Sequence, residues 1–243
     1  MAGESMTGPV RGIVFDKDGT LIDFERSWTP VFVESAAALA DGIGRPEMAS
    51  VWLQVTGRDA ATGKVLPDTL LASGTTDVVA ARWKAISPEL PGLDELVPWL
   101  DEFWERRVLE LLSPVGDLVG LLDGLLAHGL RLGVATNDTE RAAHATLGRL
   151  GIADRLHFVA GYDSGHGAKP EPGMILAFCA AMNLDPAEVA MVGDSPADLA
   201  AGRAAGCGRV VGVLTGTSPM EVLAPLADVV VEDVHAVWGA LGG

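Results

Sequence analysis

Short apolar runs alternate with amphipathic segments over the second half of the chain. The spacing of apolar positions predicts helices over residues 118–126, 139–150, 174–182 and 197–205. Between them, apolar runs predict buried strands over residues 130–136, 157–160, 189–192, 210–213 and 228–231. Strands that alternate with helices indicate an α/β fold built on a doubly wound parallel sheet, which is a Rossmann-like core.

One more strand is predicted early in the chain, and a helical block follows it. Residues 10–15 form an apolar run, whereas residues 27–40 and 93–112 have helical patterns and no strand pattern stands out between them. Five of the six tryptophans lie in this block, and residues 56–64 form a polar, glycine-flanked loop. We therefore expect residues 1–22 and 113–243 to form the α/β core, and residues 23–112 to form an inserted all-helical domain.

Composition narrows the possible partners. Hydrophobic residues make up 49% of the 243 residues, which is typical of a folded core. The net charge of −16 disfavours a nucleic-acid partner, so any anion site must be locally positive. We find neither a signal-peptide pattern nor an apolar run of about 20 residues that could span a membrane. Cys179 and Cys207 have no metal-binding spacing and fit reduced thiols. We expect a cytoplasmic monomer or homodimer without a membrane partner.

Polar side chains with catalytic potential follow four points in this pattern. Ligands of doubly wound sheets bind beyond the carboxyl ends of the strands, so these side chains are expected to converge. Two carboxylates at the end of a buried strand indicate a hard cation, a shared proton or both. In chain order the groups are Asp16, Asp18 and Thr20 after the first strand; Thr136 and Asn137; Lys169 in a proline-flanked loop; and Asp194 and Asp198.

The order and context of these motifs resemble the haloacid dehalogenase-like hydrolase superfamily, whose members are mostly aspartate-nucleophile phosphatases. The motif DxDGT covers residues 16–20, and GDxxxD covers residues 193–198, with the threonine and the lysine between them. The resemblance extends over residues 12–206. The inserted helical block resembles the helical cap of this superfamily, and residues 23–112 are called the cap segment below. Together with the Leu-Ile-Asp run at residues 21–23, it resembles the phosphoglycolate phosphatase-like branch.

The resemblance implies a role for each of these side chains. Asp16 is implied to be the nucleophile that forms an aspartyl-phosphate, and Asp18 the acid that protonates the leaving group and then activates water. Mg²⁺ is implied to bind the carboxylates of Asp16 and Asp194 and the backbone carbonyl of Asp18. Thr136 and the Asn137 N–H are implied to bind the phosphate, and Lys169 to compensate its charge. Asp198 is implied to hold Lys169 or a metal-bound water, and Thr20 likewise to act on the site residues and not on the substrate.

The substrate remains open at this level. We expect a Mg²⁺-dependent phosphatase acting on a small phosphate monoester, with 2-phosphoglycolate as the first substrate to test. Its carboxylate needs a cationic partner, for which Arg58 in the polar loop is the candidate. The presence of Asp18 argues against a dehalogenase or a phosphonatase. The alternatives are a sugar-phosphate mutase similar to β-phosphoglucomutase and a non-catalytic protein that binds a phosphorylated metabolite.

Overall fold

Six parallel strands form a single sheet in the computed structural model, which describes residues 9–243. Every pair of neighbouring strands is parallel, so the predicted sheet is confirmed. The observed strands begin and end within about two residues of the predicted ones, which is the usual uncertainty of a strand end. They are β1 (Gly12–Phe15), β2 (Arg131–Ala135), β3 (Phe158–Ala160), β4 (Val189–Gly193), β5 (Arg209–Val213) and β6 (Val229–Val231).

The strand order is β3-β2-β1-β4-β5-β6, which puts β1 at the centre. Gly12 pairs with Arg131 of β2 on one side and with Val189 of β4 on the other. From β1 the sheet therefore extends in two directions, with β2 and β3 on one side and β4, β5 and β6 on the other. A crevice opens at such a switch point, beyond the carboxyl ends of the central strands, and this is where ligands bind in doubly wound sheets.

The cap segment contains the first six helices, and the described residues between 23 and 112 contain no strand. The predicted helix over residues 27–40 is interrupted at Trp28, because Pro30 starts a new helix in its first turn. Three further helices were not predicted individually. One contains Trp52, one contains Trp83, and a short one lies just before the helix that contains Trp83. The six are α1 (Phe24–Ser27), α2 (Thr29–Gly42), α3 (Met48–Thr56), α4 (Leu70–Ser73), α5 (Thr76–Ile86) and α6 (Leu93–Leu111).

The cap segment has its own hydrophobic cluster. Trp52 of α3 and Trp83 of α5 are fully buried in it and stack with ring centroids 5.7 Å apart. Both indole N–H groups have partners, because Trp52 donates to the Ser87 hydroxyl at 3.0 Å and Trp83 to the Thr56 hydroxyl at 3.3 Å. Burying side chains of this size stabilises the segment by roughly 1.5–3 kcal/mol each.

Helices cover both faces of the sheet. Alternation along β1 turns Ile13 and Phe15 toward the helix that follows the cap segment on one face, whereas Val14 on the other face belongs to the cluster around the two helices that flank β4 in the chain. All of these strand positions are fully buried, as expected for a parallel sheet covered on two sides. The core helices are α7 (Leu118–Ala127), α8 (Glu140–Arg149), α9 (Gly173–Met182), α10 (Pro196–Ala205), α11 (Met220–Leu223) and α12 (Val237–Ala240).

Two connections join the cap segment to the core, and they run side by side. The Asp23 N–H donates to the Ser113 carbonyl at 2.8 Å, and the Val115 N–H donates to the Leu21 carbonyl at 2.9 Å. The Ser113 N–H also donates to the Ser27 hydroxyl at 3.2 Å. We propose that these paired connections are the boundary between the two predicted domains. None of the helices in residues 9–243 combines the length and the apolarity that a membrane crossing requires.

Candidate active site

Three carboxylates meet at the carboxyl ends of the two central strands. Asp16 follows β1 directly, Asp194 follows β4, and Asp198 lies in the first turn of α10. Each offers a carboxylate oxygen within 4.8 Å of the others, and all three residues are buried. The backbone N–H of Asp16 donates to the Val192 carbonyl of β4 at 2.8 Å, which fixes the end of β1 against its neighbour. The predicted convergence at the switch point is therefore observed.

Lys169 places a positive charge among these carboxylates. Its Nζ lies 2.5 Å from Asp16 Oδ1 and 2.6 Å from Asp198 Oδ1. The loop that carries the lysine is held by Asn137, whose Oδ1 accepts from the Lys169 N–H at 2.8 Å and whose Nδ2 donates to the Lys169 carbonyl at 3.0 Å. The amide of Asn137 therefore positions Lys169, a role that the sequence did not indicate.

The charges in the site shift its ionisation equilibria. Burial raises the pKa of Asp16 from 3.8 to about 7, and the nearby Asp198 and Asp18 reinforce the shift against the opposing effect of Lys169. Burial and the negative charges of Asp16 and Asp198 raise the pKa of Asp194 well above its ordinary value. For Lys169, burial alone lowers the pKa, but the attraction of Asp16 and Asp198 outweighs burial and raises it.

This donor set fits a divalent cation. Three buried carboxylates face one ammonium group, so the site carries an excess of negative charge that a hard cation with oxygen ligands would neutralise. Asp198 Oδ2 accepts from the N–H and the hydroxyl of Ser195, at 3.0 and 2.6 Å, whereas the hydrogen bond found for Asp194 comes from the Thr217 N–H at 3.2 Å. More of the Asp194 carboxylate is therefore free for a ligand than of the Asp198 carboxylate, which its own helix cap holds.

The glycine of the DxDGT motif is required where the chain passes Asp194. Gly19 has φ +89°, a left-handed conformation that disfavours other residues, and a Cβ atom there would lie 2.6 Å from the Asp194 carboxyl carbon. Thr20, next to it, is buried, and its hydroxyl has no hydrogen-bond partner among the described residues. The turn after β1 thus packs directly against the carboxylate that follows β4.

Asp18 is held by two donors that sequence reasoning missed. Its Oδ1 accepts from Lys17 Nζ at 2.7 Å and from Trp28 Nε1 of the cap segment at 2.5 Å. Lys17 is fully buried and also lies 3.1 Å from Asp138 Oδ2. Burial lowers the pKa of Lys17, but Asp18 and Asp138 outweigh it, so the pKa is raised and the lysine stays charged. The sequence did contain a signal for this arrangement, because Lys17 lies between Asp16 and Asp18 at the end of a buried strand.

Thr136 and Asn137 face the same cavity as the carboxylates. Thr136 follows β2 and is buried, and its hydroxyl accepts from the Asp138 N–H at 3.1 Å. Besides holding Lys169, Asn137 Nδ2 donates to the Ser73 carbonyl of α4 at 2.9 Å. The end of β2 therefore contacts the cap segment directly.

Arg58 is not brought together with these residues. The described lining of the cavity above Asp16 does not include it. Arg58 lies shortly after α3, and its backbone forms an isolated antiparallel β-bridge with Val65. Its guanidinium lies beside Gly63. The predicted pairing of Arg58 with a substrate carboxylate thus has no support in this conformation, because position within the loop could not show which way the loop faces.

Comparison with known proteins shows which family this chain belongs to. The family model for haloacid dehalogenase-like hydrolases matches residues 10–206. N-acetylmuramic acid 6-phosphate phosphatase of Pseudomonas aeruginosa is 30% identical over 199 residues, which cover 81% of this chain and 79% of that protein. Phosphoglycolate phosphatase of Escherichia coli K12 is 28% identical over 241 residues, covering 96% of this chain and 93% of that protein.

A solved structure has the same fold across nearly the whole chain. The crystal structure of a predicted phosphoglycolate phosphatase from Haemophilus somnus superposes with a TM-score of 0.73 at 20% identity, covering 98% of this chain and 99% of that one. The fold and the comparisons define a hydrolase whose core is a doubly wound parallel sheet. The chain belongs to the haloacid dehalogenase-like hydrolases, and it is a phosphatase that acts on small phosphorylated substrates.

Proposed function

We propose that this phosphatase is Mg²⁺-dependent and hydrolyses a small phosphate monoester through an aspartyl-phosphate on Asp16. The observation that carries the proposal is the contact between Asp16 and Lys169 at 2.5 Å, at the base of a cavity that Thr136 also lines. A carboxylate held by an ammonium group is aligned to attack, and the same positive charge offsets that of the incoming phosphoryl group.

The covalent chemistry needs two steps. In the first, an Asp16 oxygen attacks phosphorus, the bond from phosphorus to the alcohol oxygen breaks, and Asp18 gives that oxygen a proton. In the second, water attacks the phosphorus of the aspartyl-phosphate and Asp18 takes up its proton, which releases inorganic phosphate and restores the Asp16 carboxylate. Lys17 and Trp28 both donate to Asp18 Oδ1, so we assign the transferred proton to Oδ2.

Other residues of the cavity orient the phosphoryl group. The Thr136 hydroxyl and the Asn137 backbone N–H are assigned to its oxygens, and Lys169 is kept in place by Asn137 and Asp198. The carboxylates of Asp16 and Asp194 and the backbone carbonyl of Asp18 would hold the metal. When bound, Mg²⁺ supplies charge neutralisation and orientation of the phosphate.

The decisive experiment replaces the nucleophile. Asp16→Asn should lower kcat by at least about 10³-fold, because an amide is a poor nucleophile and a poor Mg²⁺ ligand. The control is Asp41→Asn, which changes an exposed aspartate at the end of α2. Phosphate release is measured with a panel of small esters that includes 2-phosphoglycolate, and sugar-phosphate isomerisation is followed in parallel.

Each outcome of that experiment discriminates between the hypotheses. A folded Asp16→Asn variant that keeps a tenth of the wild-type kcat contradicts the nucleophile assignment. Isomerisation of a sugar phosphate that outpaces phosphate release identifies a mutase. Tight binding of esters without any turnover by the wild type identifies the non-catalytic alternative.

A further inference from the structure

The wall of the cavity opposite the carboxylates is apolar, and the cap segment builds it. Helices α1, α2, α4, α5 and α6 each contribute at least one large side chain, and each of these is at most 6% exposed. Three of the rings contact one another, with centroids 5.3 Å apart for Trp28 and Phe32 and 5.3 Å apart for Phe32 and Trp104. The six side chains are Phe24, Trp28, Phe32, Leu71, Val79 and Trp104.

Most polar side-chain groups of this wall are already engaged in hydrogen bonds. Trp28 Nε1 donates to Asp18 at 2.5 Å, and Trp104 Nε1 donates to the Ser35 hydroxyl at 2.9 Å. The polar side chains that the cap segment adds to the described lining are those of Ser73 and Thr76, and Thr76 hydrogen-bonds to Asp101. A ligand that reaches this wall therefore meets ring faces, ring edges and methyl groups, and the Ser73 hydroxyl is the one polar side-chain group of the cap segment in the described lining without a hydrogen bond.

The described lining of the cavity offers no free cation for a charged leaving group. Among the described residues that line the cavity, Lys169 is the one cation, and Asp16 and Asp198 already hold it. Elsewhere in the cap segment, Arg107 is paired with Glu34, and Arg58, whose buried Nε has no hydrogen-bond partner among the described residues, lies outside the described lining. A substrate carboxylate would thus be buried against aromatic rings, beside the carboxylates of the site and without a partner, which is strongly unfavourable.

We infer that the leaving group of the natural substrate is an uncharged alcohol with an apolar, carbon-rich face and few further polar groups. The inference rests on the proposed function, because the site beneath the wall must bind the phosphoryl group. The named substrates of the two relatives are both acids, so this chain differs from them in the group it accepts. An apolar alcohol gains stabilisation from contact with the rings and leaves no charge or hydroxyl group unpaired.

The test compares esters that differ in one carboxylate. The first pair is phenyl phosphate and 4-carboxyphenyl phosphate, and the second is ethyl phosphate and 2-phosphoglycolate. We expect kcat/KM of the wild type with Mg²⁺ to favour the uncharged ester by at least about 100-fold in both pairs. A preference of about tenfold or less in either pair overturns the inference. Absence of phosphate release from all four esters overturns the proposed function as well.

A pair of variants tests whether the missing cation is the cause. Val79 of α5 lines the cavity and is 1% exposed, whereas its neighbour Val78 is 43% exposed and faces away. Val79→Lys should reduce the preference for phenyl phosphate over 4-carboxyphenyl phosphate by about tenfold, the effect of one charged partner. Val78→Lys should keep the wild-type ratio. A folded Val79→Lys variant with an unchanged ratio overturns the inference, and the wild-type ratios decide if that variant fails to fold.

Discussion

Replacing Lys169 by methionine tests how the site holds three buried carboxylates together. The side chain keeps most of its volume but loses its charge, so the contacts of 2.5 Å to Asp16 and 2.6 Å to Asp198 disappear. Breaking one buried ion pair commonly destabilises a protein by about 3–5 kcal/mol, because the remaining charge stays buried without its partner. Since Lys169 serves two carboxylates, we expect the metal-free variant to lose free energy of unfolding in the upper part of that range.

The loss should depend on pH in a defined direction. The pKa of Asp16 in the folded wild type is about 7, against 3.8 as its ordinary value. Between these values the folded state binds more protons than the unfolded state, so metal-free stability falls as pH rises. Removing the lysine strengthens this trend, because the carboxylates can then escape repulsion only by taking up protons. The destabilisation by Lys169→Met is therefore expected to be larger at pH 8 than at pH 5.

The assay is urea unfolding of the metal-free protein at both pH values, followed by circular dichroism. Lys64→Met is the matched control, since this lysine of the cap segment is exposed. Added Mg²⁺ should recover part of the stability at pH 8, because a ligand that binds only the folded state stabilises it. A metal-free Lys169→Met variant within about 1 kcal/mol of the Lys64→Met control at pH 8, a surface-scale change, refutes this account of the site.

Three further predictions concern the acid, the metal and the contact between the cap segment and the core. Asp18→Ala should lower kcat by about 10²–10⁴-fold for alkyl phosphates and by less for aryl phosphates, whose leaving groups need less protonation; equal losses in a kinetic comparison would argue against the acid role. A chelator should abolish phosphate release. Ca²⁺ should inhibit it, since the coordination shell of Ca²⁺ is larger and more flexible than that of Mg²⁺. Full activity in excess chelator rejects the proposed metal site on Asp16 and Asp194. Burial, with the charges of Asp138 and Asp163, raises the pKa of Asp101 from 3.8 to about 6, so stability is lost as pH rises across that window. Thermal unfolding of Asp101→Asn should therefore show a gain over the wild type at pH 8 that is absent at pH 4, and an equal change at both pH values contradicts this.

The sheet and the carboxylate cluster could be predicted from the sequence because both depend on local pattern. The apolar run before Asp16 identifies a buried strand, and the rule that ligands bind at the carboxyl ends of parallel strands places Asp194 beside it. The pattern placed Lys169 among the groups expected at this edge of the sheet, but nothing local shows which carboxylates its side chain reaches. The distances of 2.5 and 2.6 Å to its two partners are a result of tertiary structure.

Two other features of the structure could not be predicted from the sequence, for different physical reasons. Helices α3 and α5 are short, and short helices are stabilised mainly by packing, here the stacking of Trp52 on Trp83. The engagement of Lys17 depends on Asp138, which lies far along the chain and reaches it only when β1 and β2 pair. Arg58 stays a prediction, since its loop position indicated a ligand contact and the described lining of the cavity does not include it.

The central position of β1 has a consequence for how the protein acquires its activity. Both neighbours of β1 come after the cap segment, so pairing Gly12 with Arg131 and Val189 requires the closure of long loops. Such non-local pairing is slow, whereas the helices of the cap segment form through contacts close in sequence. Asp16 therefore stays apart from Lys169 and Asp194 until β4 has joined the sheet and α10 has packed against it. Phosphate hydrolysis should appear only with completion of the core, late in folding, and partly folded chains with a formed cap segment should be inactive.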